Sequence, residues 1–284
     1  MNKSVVIIGG DLRQKYLYYH MLNNGFAVTP YDIPEVAGIE NLPKSEFFDN
    51  FIKSGDVFIL PVPFSRDKIT INSKSSDIII DELLSYIKPG SIVAGGCFTE
   101  SFRAKCKDKE IKIFDLMDIP SFELLNSIAT AEGAILEAIS KSPLNIHMSD
   151  CLVLGYGKCG SAIAKRLSAL GANVTVCARN NLQQMQAFEC GHKYIDFDVL
   201  AEQIDQFEFI FNSVPAMVLT KDLLRHVKED AVIIDIASKP GGTDFKECEK
   251  LGIAAYLCLS LPGKYSPKSS AGIIYNCTSS GASG

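Results

Sequence analysis

The sequence predicts an α/β protein of two doubly wound parallel-sheet domains joined by a long helix, and three observations carry that prediction. Short β-branched runs alternate with helix-period segments along nearly the whole chain, the order expected of parallel sheets with crossover helices. The run Cys151-Leu152-Val153-Leu154 enters Gly155-Tyr156-Gly157-Lys158-Cys159-Gly160, then a helical segment with Ala162, Ile163 and Leu167 inward, then a second strand from Asn173. Residues 120–141 carry the longest helical pattern, and about twenty residues at about 1.5 Å each span about 30 Å, enough to bridge two domains. The expected divisions are a substrate domain over 1–120, a linking helix over 121–143 and a dinucleotide-binding domain over 144–265. Residues 266–284 form a C-terminal helix that could recross to the first domain.

The first domain opens with a strand at 4–8 that ends in Gly9-Gly10-Asp11, a helix over 12–22 stopped by Asn23-Asn24-Gly25, and a second strand at 26–31. Arg13 stands at the start of that helix beside exposed N–H groups, where it either receives a carboxylate or is simply solvated. The strand at 56–60 breaks at Pro61-Val62-Pro63-Phe64-Ser65-Arg66, because proline cannot continue a central strand. Open α/β sheets bind ligands at that carboxyl end. An apolar-faced helix over 78–87 closes at Lys88-Pro89-Gly90, a strand at 91–94 ends at Gly95-Gly96-Cys97, and 112–114 supplies a fifth strand.

In the long helix, Thr130 and Glu132 stand beside Gly133, and a mid-helix glycine costs about 1 kcal/mol. Either close helix packing or a nearby ligand accounts for it. Beyond the glycine turn, strands at 193–197, 207–211, 231–237 and 254–259 follow. The last three finish at Asn212-Ser213-Val214-Pro215-Ala216, Ser238-Lys239-Pro240-Gly241-Gly242 and Ser260-Leu261-Pro262-Gly263-Lys264. Asp235 in an apolar strand must find hydrogen-bond partners or lie near an edge.

Strand, glycine turn, helix and strand at this spacing make the first unit of a Rossmann domain. Gly155 permits the tight turn, Gly157 lets backbone N–H groups approach a pyrophosphate, and Gly160 lets helix and strand pack closely. At the end of the second strand, where an NAD enzyme usually carries a carboxylate for the ribose 2′-OH, this chain has Ala178-Arg179-Asn180. A guanidinium there suits a 2′-phosphate, so NADP(H) is expected, with NAD(H) as the alternative in which Arg179 is a solvated loop residue.

With 47% apolar and 21% charged residues the chain reads as a soluble globular protein, and a net charge of −5 argues against nucleic acid as a partner. Nine cysteines without paired spacings read as reduced core residues, with no metal site expected. The apolar run after Met1 is too short for a signal peptide, and no run approaches the length of a membrane span, so a cytoplasmic location is expected.

The stretches Gly9-Gly10-Asp11-x-Arg13, Leu60-Pro61-Val62-Pro63, Thr130-Ala131-Glu132-Gly133-Ala134, Asn212-Ser213-Val214-Pro215-Ala216-Met217, Ala237-Ser238-Lys239-Pro240-Gly241-Gly242-Thr243-Asp244-Phe245 and Leu261-Pro262-Gly263-Lys264 together resemble the A subunits of dipicolinate synthase from spore-forming bacteria. The likeness covers nearly the whole chain. Lys158-Cys159 stands where the family pattern leads one to expect Arg-Thr or Arg-Cys. The resemblance implies oxidation of dihydrodipicolinate, or its hydroxylated tetrahydro precursor, to dipicolinate with a nicotinamide cofactor. It also implies sporulation, the mother-cell cytoplasm and a flavin-binding B subunit, the chain being part of a homo- or hetero-oligomer.

Aromatising a dihydropyridine removes a hydride and a proton, so the site needs a nicotinamide face, a base and a clamp for two carboxylates. Lys239, Glu132 and Asp11 are the catalytic candidates, and Arg13, Pro61, Pro63, Arg66, Thr130 and Lys264 those for substrate. Cofactor candidates are Gly155, Tyr156, Gly157, Lys158, Cys159, Gly160, Ala178, Arg179, Asn180, Asn212, Ser213, Val214, Pro215, Ala237 and Ser238, with a cleft between the domains as the expected site. No histidine falls at the carboxyl end of a predicted strand, which leaves the base unassigned. Two alternatives stay open: an NADP-dependent alanine- or 2-hydroxyacid-type dehydrogenase acting on another acid, and a non-catalytic nucleotide-binding subunit of a flavoprotein complex.

Overall fold

The structure, a computed structural model, describes residues 3–36, 43–75 and 77–281. The chain divides into two compact units, one of Met1–Asn126 with Gly263–Gly284 and one of Ser127–Pro262, and the helix Pro120–Lys141 crosses that division in sequence.

Among the described residues of the first unit, β1 (Val5–Ile8), β2 (Val28–Tyr31), β3 (Val57–Ile59), β4 (Ile92–Gly95) and β5 (Lys112–Asp115) form a parallel sheet ordered β2-β1-β3-β4-β5. Side chains alternate across a strand, and β1 shows it. Val5 and Ile7 pack with Leu17 and Met21 of the helix Leu12–Asn23 and with Ala271 and Ile274 of the helix Pro267–Gly281. Val6 and Ile8 pack on the opposite face with Phe48, Leu83 and Phe102. Asp11 caps the helix Leu12–Asn23, its carboxylate accepting from the Arg13 N–H at 3.0 Å.

In the second unit, β6 (Asp150–Leu154), β7 (Asn173–Cys177), β8 (Lys193–Ile195), β9 (Phe209–Asn212), β10 (Val232–Asp235) and β11 (Ala254–Leu257) are parallel in the order β11-β10-β9-β6-β7-β8. The order reverses between β6 and β9, which is where such sheets open a ligand crevice. Cys151 and Val153 pack with Ala134 and Ala138 of the long helix and with Ile163 and Leu167 of the helix Lys158–Ala169. Leu152 and Leu154 meet Leu200, Ile204, Leu224 and Cys248 on the other face.

Element boundaries shift where the chain has other bonds to make. β3 stops at Ile59: the Leu60 N–H still donates to Ala94 at 2.8 Å, but Pro61 has no N–H to offer. The helix expected from Ile78 begins at Ile80, since the Ile78 carbonyl accepts from the Ile71 N–H at 2.9 Å. Phe207 is likewise drawn out of β9, its N–H bonded to Ile204 at the end of a preceding 3₁₀ turn. The helical segments Lys44–Phe47 and Phe48–Ile52 have no counterpart in the sequence reading, although they bury Phe47, Phe48 and Ile52. Among the described residues no helix is long and apolar enough to cross a membrane.

Candidate functional site

The three glycines of the second unit's turn do different work. Gly155 holds φ at +85°, and a Cβ there would lie 2.8 Å from Ser213 Oγ. A Cβ on Gly160 would lie 2.1 Å from the Gly155 carbonyl oxygen. Gly157 instead has nothing within 4 Å of its Cβ position, so it faces open space at the start of the helix Lys158–Ala169. No side chain caps that helix, which leaves its first N–H groups and positive dipole end toward the same space. An uncapped helix start of this kind suits an anion such as a phosphate, and Lys158 is exposed in its first turn.

Tyr156 turns its ring into the core, where burial and the neighbouring Cys190 thiol push its hydroxyl up. Its backbone is what the turn presents. Cys159 is half-buried, and burial raises its thiol too.

The carboxyl ends of β9 and β10 are latched together. Asn212, fully buried, accepts from the Val214 N–H at 3.1 Å and donates to the Val214 carbonyl at 3.3 Å. Ser213 Oγ donates to the Leu154 carbonyl at 2.9 Å, across the switch point. Asp235 finds the partners its burial demands: it accepts from Ala237 N–H at 2.8 Å, Thr243 Oγ1 at 2.6 Å and Gly242 N–H at 3.3 Å. Gly242 fits because a Cβ there would fall 2.1 Å from Asn212 Nδ2. Pro215, Ser238 and Lys239 are exposed on these loops, Ala237 is buried, and Lys239 forms no ion pair among the described residues.

At the end of β7, Ala178 is buried and Arg179 exposed. The Arg179 guanidinium lies over the Phe197 ring, 5.3 Å from its centre, and pairs with no carboxylate among the described residues. Asn180 is committed to capping the helix Asn181–Glu189, its Oδ1 accepting from the Leu182 N–H at 2.8 Å. Thr130 is half-buried, and the exposed Glu132 carboxylate stands 3.5 Å from Arg166 Nε.

The first unit gathers a second set. Arg13 is buried and grips Asp11 with two parallel bonds of 2.8 Å, while Nη2 also donates to the Val62 carbonyl. The guanidinium therefore ties the helix start to the loop after β3. Gly263 closes on the same carboxylate, since a Cβ there would lie 2.2 Å from Asp11 Oδ2. Pro61 is buried, Pro63 half-buried and Arg66 exposed, and Lys264 extends over the Tyr265 ring at 4.7 Å. Three residues were missed in the sequence. Phe197 lies beneath Arg179, Gln184 ties the adjacent Ala178 carbonyl to Asp196, and Cys97 stands exposed after β4 with φ +63°; only the Gly95-Gly96 punctuation before Cys97 hints at any of them. Burial pushes the thiols of Cys151 and Cys177 up to about 12 and those of Cys106 and Cys248 to about 11, so these four are inert core groups. Among the described residues no three His, Cys, Asp or Glu side chains gather into a metal-binding group.

Comparison with known proteins covers both units. Residues 4–117 match the family described as the N-terminal domain of the dipicolinate synthase A subunit, and residues 129–239 match the NAD binding domain of D-isomer specific 2-hydroxyacid dehydrogenases. Over 282 residues the chain is 31% identical to the dipicolinate synthase A subunit of Bacillus subtilis (strain 168), covering 97% of this chain and 94% of the relative. The crystal structure of the dipicolinate synthase A subunit from Bacillus halodurans superposes with a TM-score of 0.86 at 28% identity, over 99% of this chain and 97% of that one. The corresponding crystal structure from Bacillus subtilis gives 0.82 at 27% identity, over 100% and 96%.

Proposed function

Since the chain belongs to the family of dipicolinate synthase A subunits and carries a dehydrogenase-type NAD-binding domain, we propose that it oxidises dihydrodipicolinate, or its hydroxylated tetrahydro precursor, to dipicolinate with NADP⁺. The observation that carries the cofactor reading is the open space at Gly157 together with an Arg179 that has no carboxylate partner among the described residues, at the end of β7. When bound, the nicotinamide supplies the hydride acceptor.

The chain's own groups do the rest. The N–H groups of the Gly155–Gly160 turn and the helix start hold the pyrophosphate, and Arg179 holds the 2′-phosphate. The latched loops Asn212–Pro215 and Ala237–Ser238 form a rigid wall for the nicotinamide end. A dianionic substrate needs fixed cations: the exposed Lys239, Arg66 and Lys264 are the candidates, and Arg13 contributes its charge while holding Asp11. Pro61, Pro63 and Thr130 are the remaining candidates for substrate contact. Aromatising dihydrodipicolinate removes one hydride and one proton, and the hydroxylated tetrahydro precursor must lose one water besides; the proton would pass to a carboxylate, Asp11 or Glu132.

The reading extends to a flavin-binding B subunit for a partner and to the mother-cell cytoplasm of a sporulating bacterium. The test supplies dihydrodipicolinate and follows NADPH absorbance, with and without a flavoprotein partner. NADPH formation with this substrate is the expected result. Turnover of an unrelated 2-hydroxy acid with none of dihydrodipicolinate overturns the substrate, and reduction of NAD⁺ alone overturns the cofactor.

A further inference from the structure

Arg179 is a long, exposed side chain with no carboxylate partner among the described residues, and such a side chain samples many rotamers unless something holds it. Here the Phe197 ring lies beneath it, its centre 5.3 Å from the guanidinium carbon. Phe197 begins the 3₁₀ turn after β8 and is itself fixed by packing against the core around Leu200 and Ile204. Asp196, next to Phe197, is the carboxylate that could compete for Arg179. Its Oδ1 instead accepts from Gln184 Nε2 at 2.6 Å, and the same amide donates to the Ala178 carbonyl at 2.7 Å. Gln184 is buried, so this strut ties the end of β7 to the end of β8 and keeps the acid occupied by a neutral group.

We infer that Phe197 determines cofactor specificity through position: its ring orients the Arg179 guanidinium so that the N–H edge is free for a 2′-phosphate, with the Gln184–Asp196 strut fixing the two strand ends. The inference rests on the reading that NADP(H) is the cofactor. Phe197 is a positioning residue and touches no reacting atom.

The probes are adenosine 2′,5′-bisphosphate and 5′-AMP, which differ only in the 2′-phosphate, titrated calorimetrically into the full chain. The wild type binds the bisphosphate more tightly. Phe197→Leu, which keeps most of the volume, lowers that preference by about two- to fivefold while 5′-AMP affinity holds. Phe197→Tyr keeps the aromatic face and restores the ratio. An unchanged ratio in Phe197→Leu, or an equal loss for both probes, overturns the inference while leaving the NADP reading intact. A wild type without preference overturns that reading, and this inference with it.

Discussion

Substituting alanine at Gly157 and at Gly160 separates ligand contact from fold. At Gly160 the added methyl meets the Gly155 carbonyl oxygen at 2.1 Å, its carbon at 2.9 Å and Ser213 Oγ at 3.0 Å. The obstacle is backbone, so the turn must move, and overpacking of this kind costs about 1–3 kcal/mol. For a chain of this size about 1 kcal/mol lowers Tm by roughly 2–4 °C, which predicts a fall of several degrees. Gly157 has φ −77° and ψ −165°, a conformation open to any residue, and its Cβ would touch nothing within 4 Å. Gly157→Ala therefore costs less than about 1 kcal/mol, the residual being the poorer cap that alanine makes. The methyl nevertheless stands where the pyrophosphate must approach the N–H groups, and dinucleotide affinity falls by about tenfold or more. Thermal melts and calorimetric titration with NADP⁺ read the two effects. A Gly157→Ala protein with wild-type affinity refutes the cradle, and a Gly160→Ala protein with wild-type Tm refutes the close contact.

Arg179→Asp should reverse the preference for NADP(H) over NAD(H), because a charge-assisted contact of about 1.5–3 kcal/mol becomes a repulsion; equal affinities in the wild type remove the argument. Lys239→Met keeps most of the length and removes a charge with no ion-pair partner among the described residues; steady-state kinetics should show a loss of turnover or a raised substrate KM with NADP⁺ affinity unchanged, and unaltered kinetics take Lys239 out of the site. Arg13→Met leaves Asp11 without its two 2.8 Å bonds, and since that carboxylate is 30% exposed, urea unfolding should show a loss of about 1–3 kcal/mol rather than the larger cost of a fully buried charge. His192 is 4% exposed, and burial, helped by Lys165, lowers its pKa below the ordinary 6.5. The unfolded chain then binds the extra proton first, so this group's contribution to stability is full above about pH 6.5 and falls as pH drops through it. Melts of His192→Phe between neutral and mildly acidic pH should show a shallower decline than the wild type, and parallel curves exclude His192 as the source.

What the sequence could show depended on whether the cause was local. The glycine turn was legible because each requirement, a left-handed φ at Gly155 and a missing side chain at Gly160, acts within a few residues of the residue that satisfies it. The strands were legible for a similar reason: burial on both faces writes itself as runs such as Val5–Ile8 and Val232–Asp235. Asp235 was legible only as a question, since a carboxylate in an apolar strand announces a need for partners without naming Thr243 and Gly242. The Asp11–Arg13 grip was half legible. Both residues stood out at the helix start, but free cation and salt-bridged staple are the same in sequence, and the deciding contact, the Val62 carbonyl, lies 49 residues away. Phe197 and Gln184 left no signal at all, because a ring after an edge strand and an amide in a helix acquire meaning only when parallel pairing brings the ends of β7 and β8 side by side. The cofactor preference expected from Arg179 therefore names the residue proposed to carry the charge, whereas the groups proposed to aim it depend on long-range register, and a substitution at Phe197 is predicted to alter specificity without touching any motif.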